Sequence, residues 1–153
     1  MIRTEDRGDV RVVTLDRPER RNALTLSALA DLERAVVGTD SPVVYLTGAD
    51  GAFSAGADFD TVGEAAAAGP EAIEAFVERG QRTMRAIESA GSAVVAGVDG
   101  PARGGGVELA LACDIRVATP RATFAETGVS IGLFGAWGGT VRLPEVVGTG
   151  DAL

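Results

Sequence analysis

The chain has 153 residues, 46% of them hydrophobic and 24% charged, with a net charge of −8. That is enough for one globular core, and the acidic balance argues against a nucleic-acid or anionic-membrane partner. There is no His, a single Cys, and all 14 basic residues are Arg. This composition excludes His-based nucleophile systems and metal sites, the phosphate-binding lysine of Walker loops, Schiff-base chemistry and internal disulfides. Proton chemistry is left to carboxylates, hydroxyls and the backbone. No charged leader or apolar span is evident, and the lone thiol suits a reducing compartment, so a cytoplasmic protein is expected, with Cys113 a small buried hydrophobe.

In chain order, Ile2–Thr4 and Val10–Asp16 read as strands of a hairpin turning at residues 6–9. Leu24–Val37 carries apolar residues at helical spacing, with Thr25 or Ser27 as cap and Gly38 as stop. Val43–Thr47 reads as a strand buried on both faces, leading into a small-residue loop that ends at Asp58. Pro70–Ala90 is the longest predicted helix, with Ile73, Phe76, Val77, Met84 and Ile87 inside and Glu78 paired with Arg82. Its Arg79, Arg82 and Arg85 form either a phosphate stripe or an ordinary solvated face. Ala93–Val98 and Ile115–Ala118 read as strands, with a Gly-rich turn and a short helix at Val107–Ala112 between them. Ala122–Ser130 starts extended, a second glycine cluster holds Trp137, and Asp151 reads as the cap of a helix to come. One domain over residues 1–153 is expected, with no internal repeat.

Two places carry candidate chemistry. Gly104, Gly105 and Gly106 precede a helix start, where free N–H groups suit developing negative charge. Glu108 follows one turn later on the same face, so an N–H and a carboxylate address neighbouring atoms of one ligand, a geometry suited to enolate chemistry. The plain alternative is a first-turn acid favoured by the helix dipole. The loop Phe53-Ser-Ala-Gly-Ala-Asp58 lacks the glycine of a hydrolase elbow, and without His its Ser54 is no triad nucleophile. It offers instead a second backbone N–H donor, with Asp58 as anchor or cap, or it is simply a tight turn.

An ordered set of motifs resembles the crotonase, or enoyl-CoA hydratase/isomerase, superfamily. These are Leu15-Asp-Arg-Pro18 with Asn22-Ala-Leu24, Leu46-Thr-Gly48, Phe53-Ser-Ala-Gly-Ala-Asp58, Gly104-Gly-Gly-Val-Glu-Leu-Ala110, Cys113-Asp114 and Gly138-Gly-Thr140. The resemblance implies an α/β spiral of repeated ββα units lacking its C-terminal helical part. It implies an oxyanion hole from the N–H groups of Ala57 and Gly105 for an acyl-CoA thioester, and substrate contacts from Ala55, Asp58, Phe59 and Gly104. Glu108 falls on one of the two glutamates used to hydrate a 2-enoyl thioester, so the resemblance implies addition of water to a 2-enoyl-CoA, with isomerase, decarboxylase or thioester-hydrolase chemistry, or a silent acyl-CoA-binding fragment, as the alternatives. No metal or cofactor is implied beyond the coenzyme A of the substrate, and the homotrimer or hexamer usual in the family draws its trimer contacts from the helical part missing here. Gly128 stands where the second glutamate belongs. Glu126 is a candidate substitute, because an extended strand would put it on the same face, about 6.6 Å away.

Overall fold

The computed structural model describes residues 1–152; the final residue of the predicted terminal stretch, Leu153, lies outside them. The predicted hairpin forms, with β1 (Ile2–Arg7) antiparallel to β2 (Val10–Leu15) and Ile2 opposite Leu15, but it turns at Gly8 and Asp9 alone, because Asp6 and Arg7 still pair with Arg11 and Val10. Strands β3 (Val43–Gly48), β4 (Ala93–Val98) and β6 (Ile115–Ala118) continue the sheet in parallel, in the order β1-β2-β3-β4-β6. Two short parallel strands, β5 (Pro101–Arg103) and β7 (Thr123–Ala125), form a second sheet.

The core lies where α1 (Leu26–Val37) and α3 (Pro70–Glu88) cover the first sheet. Thr25 caps α1, its hydroxyl accepting from the Ala28 N–H at 3.2 Å, while Leu29, Leu32 and Val36 meet Val13, Leu15, Val44 and Leu46 in one apolar cluster. β3 corrects an expectation: Val44 and Leu46 are buried but Tyr45 is exposed, so the strand is buried on one face. The other face stays partly open, with Ile115 and Val117 also exposed.

Helix α2 (Phe59–Ala68) was not anticipated, because its Ala-rich sequence carries no strong apolar period. Asp58 starts it by accepting from the Thr61 N–H at 3.1 Å. In α3 the predicted inward residues hold for Phe76, Met84 and Ile87, whereas Ile73 is exposed, because it lies in the first turn, outside the core cluster that Phe76 joins. Arg79 and Arg82 both pair with Glu33 of α1, so Arg82 does not take Glu78, and two members of the stripe are used in helix-to-helix ion pairs.

Past β5 the chain enters α4 (Gly105–Leu111), every residue of which is buried. Cys113 is buried behind it, and burial pushes its thiol pKa up to about 12. The chain closes with α5 (Gly139–Val147) and α6 (Thr149–Ala152); Asp151 sits inside α6 rather than capping a later helix, since the preceding Gly148 has already turned the chain. Among the described residues no helix is long and apolar enough to cross a membrane.

Asp58 combines a cap with an ion pair: its side chain is 4% exposed and accepts from Arg17 Nη1 at 2.6 Å. Asp58→Ala is expected to lower the unfolding free energy in urea by about 2 kcal/mol, because the cap is lost and Arg17 keeps only its longer contacts with Glu19 and the Ala23 carbonyl. Asp58→Asn, which keeps the capping oxygen, should cost less.

Candidate active site

A cavity of about 650 Å³ opens where the 48–58 loop, α2, α3, α4 and the 126–137 segment converge. Ala55, Ala57, Phe59, Gly104, Gly105 and Glu108 all line it, and so does Glu126. Asp58 does not: its carboxylate points to Arg17 and Thr61, which corrects its assignment as a substrate contact and makes it an anchor of the loop. Burial opposes its ionisation, but the hydrogen bonds from Arg17 and Thr61 outweigh it and leave its pKa lowered.

The loop is shaped by a residue whose role the sequence did not reveal. Asn22, buried at φ 58°, donates to the carbonyls of Ala49 and Ala52 at 2.9 Å each and accepts from the Arg17 N–H at 3.0 Å. A polar residue within a quoted motif was the available signal. Ser54 is equally structural, donating to the Asn22 carbonyl at 2.8 Å and accepting from the Gly56 N–H at 3.1 Å.

These bonds press the loop against the start of α4. Gly56 has φ +85°, and a Cβ there would stand 2.7 Å from the Gly105 nitrogen, so only glycine permits the approach. Ala57 and Gly105 both line the cavity, and the N–H of neither donates to an acceptor among the described residues. Behind Gly105, the Trp137 ring packs between it and Gly80 of α3, with the Phe76 ring centroid at 5.5 Å.

Glu108 is 4% exposed, and its Oε1 accepts from the Gly139 N–H at 2.8 Å. Burial is the main reason its pKa is raised to about 7; the Gly139 N–H works against this, the charge of Glu126 adds to it, and the Trp137 backbone and Arg142 oppose it. Gly128 lines the same cavity without a side chain.

Glu126 reaches the site, but not by the predicted route. A 3₁₀ turn (Thr127–Ile131) begins directly after it, so Glu126 and Gly128 are not two residues apart on one strand face. The second sheet places it instead: Arg103 is paired with Ala125, and the Gly104 N–H donates to the Ala125 carbonyl at 3.0 Å, so residue 126 emerges beside α4.

The enoyl-CoA hydratase/isomerase family model matches residues 5–153. The chain belongs to this family. It is 39% identical to a short-chain-enoyl-CoA hydratase of Clostridium acetobutylicum, over 97% of this chain and 58% of that one. It is 41% identical to a crotonyl-CoA hydratase of Syntrophomonas wolfei, over 92% and 55%. Among solved structures it resembles an enoyl-CoA hydratase from Thermoplasma volcanium, with TM-score 0.90 and 37% identity, covering 99% of this chain and 61% of the other. The fold is therefore the crotonase fold, and the chain spans a little over half the length of these family members.

The buried carboxyl of Glu108 links stability to pH. Its raised pKa means that ionisation in the folded state is penalised, so its favourable contribution is complete below the unfolded value near 4.5 and is lost as pH rises through about 7. Glu108→Gln, which keeps an oxygen for the Gly139 N–H, should be more stable than wild type at pH 8 by roughly 2–4 kcal/mol in urea denaturation. The difference should shrink as pH falls toward 4.5.

Proposed function

We propose that this chain is the core of an acyl-CoA enzyme that adds water across the double bond of a 2-enoyl-CoA thioester. The observation that carries this reading is the placement of one buried carboxyl, Glu108, in a cavity walled by the unpaired N–H groups of Ala57 and Gly105. The names of the relatives, hydratases of enoyl-CoA and crotonyl-CoA, support the same substrate class.

In this reading the thioester carbonyl accepts from Ala57 and Gly105. As the water oxygen bonds to C3, the π electrons move onto the carbonyl oxygen, and the two N–H dipoles meet charge that was not there in the substrate. Glu108 serves as acid/base in delivering a proton to C2. A pKa near 7 lets it exchange a proton at neutral pH with little driving force either way. The reaction calls for no cofactor beyond the coenzyme A of the substrate. The exposed Phe59, at the cavity rim beside Ala55 and Gly104, suits the coenzyme A side.

A second reading is an acyl-CoA-binding unit without turnover. The exposed Val129, Ile131, Phe134 and Val141 support self-association in either case, as a family-like trimer or hexamer. A cytoplasmic setting suits the free thiol of Cys113.

Hydration of crotonyl-CoA, followed by loss of the conjugated thioester absorbance, separates the readings. Turnover is expected for the wild-type chain, and Glu108→Gln should lower kcat by about 10²–10⁴-fold with KM little changed. Binding without turnover, or turnover indifferent to Glu108→Gln, would sink the hydratase reading.

A further inference from the structure

Family resemblance leaves the site one carboxylate short, since the expected position is Gly128. The structure supplies a second from elsewhere. A methyl group placed on Gly139 would meet Glu126 Oε1 at 2.9 Å and Glu108 Oε1 at 3.2 Å. Those oxygens are thus no more than about 6 Å apart, so the two carboxyls are near neighbours, and one water bridges them wherever they stand within two bent hydrogen bonds of each other. Both residues line the same cavity.

Glu126 also has no structural work that would account for its place. Its Oε1 is shut off from solvent and has no hydrogen-bond partner among the described residues, whereas the buried carboxyls Glu108 and Asp58 are held by N–H donors. A buried acceptor left open costs free energy unless something fills it. A small shift of the side chain toward the cavity that it lines would let a water or hydroxyl group do so. Gly139 holds the arrangement together, its N–H gripping Glu108 while its missing side chain leaves room for both carboxyls.

We propose that Glu126 is the second catalytic carboxylate, replacing the one missing at Gly128, and that with Glu108 it holds the attacking water while the pair shares one proton. The inference rests on the hydration reading above. Glu108, the more deeply buried, keeps the proton, and the half-buried Glu126 is ionised. As the water oxygen bonds to C3, its proton passes to Glu126. The C2–C3 π pair moves toward the thioester oxygen and returns to C2 as the C2–H bond forms with the proton of Glu108. One water is consumed; Glu126 ends protonated and Glu108 ionised, and the proton passes back between them to reset the site. The charged group facing the pair from α5 is Arg142, which is held to Glu88 at 2.8 Å and opposes the rise in the Glu108 pKa. Burial raises the Glu126 pKa as well.

The test is Glu126→Gln in the 153-residue chain, assayed with crotonyl-CoA beside wild type. The substitution preserves size and removes no hydrogen bond at Oε1, so the fold should persist, as thermal melting would verify. Expected are a fall in kcat of about 10² or more with KM within about threefold, and loss of the acid limb of a bell-shaped pH–rate profile. By carboxyl NMR titration, the Glu108 pKa should fall when the neighbouring charge is removed. An active wild type with Glu126→Gln turning over within threefold of it would overturn the role of Glu126 and leave the hydratase reading standing. An inert wild type would overturn the hydratase reading, and the proposal with it. An unshifted Glu108 titration in Glu126→Gln would overturn the shared proton.

Discussion

The site depends on one close backbone approach, that of the 54–57 loop to the first residues of α4. A Cβ on Gly56 would collide with the Gly105 nitrogen, and one on Gly106 would stand about 3.0 Å from the Ser54 Cβ. Only a chain bare of side chains at these points lets the 54–57 loop and the start of α4 meet along one cavity. The hydrogen bonds of Asn22 and Ser54 and the Arg17–Asp58 pair hold the first loop; β5 and β7 hold the second. The parallel strands β3 and β4 deliver both from their carboxyl ends, where an α/β sheet leaves room for a ligand.

Burial is the other determinant. A helix enclosed along its whole length carries Glu108 into a place where water cannot solvate its charge, and one N–H from Gly139 offsets only part of that cost. The same desolvation that penalises the folded state at high pH brings the carboxyl to a proton affinity useful near neutrality. On the proposed reading, stability and chemistry are in tension at this residue. Trp137 makes the enclosure possible by packing behind Gly105 and against Gly80, so the second glycine cluster serves to seat a large ring and two carboxyls.

Several differences between sequence reading and structure share one cause. The period of β3 suggested a strand buried on both sides, but which faces are covered depends on helices far away in sequence, and they cover one. The arginines of α3 were ambiguous by spacing; their partner Glu33 lies 46 residues from Arg79, on another helix. Asp58 belonged to a motif associated with substrate, yet its carboxylate turns away from the cavity to a cation 41 residues earlier.

What the amino-acid order determined by itself was local or compositional. The absence of His and Lys removed whole chemistries, the hairpin and α1 followed from turn residues, capping and periodicity, and the glycine clusters with Glu108 marked the candidate site. Tertiary structure alone decided which side chains meet. Glu126 is the clearest instance: strand geometry put it beside Gly128, the chain turns instead, and the β5–β7 register brings it to Glu108. Distances between segments paired across the fold are not encoded in the spacing of either one, because they are set by where the whole core allows the backbone to pass.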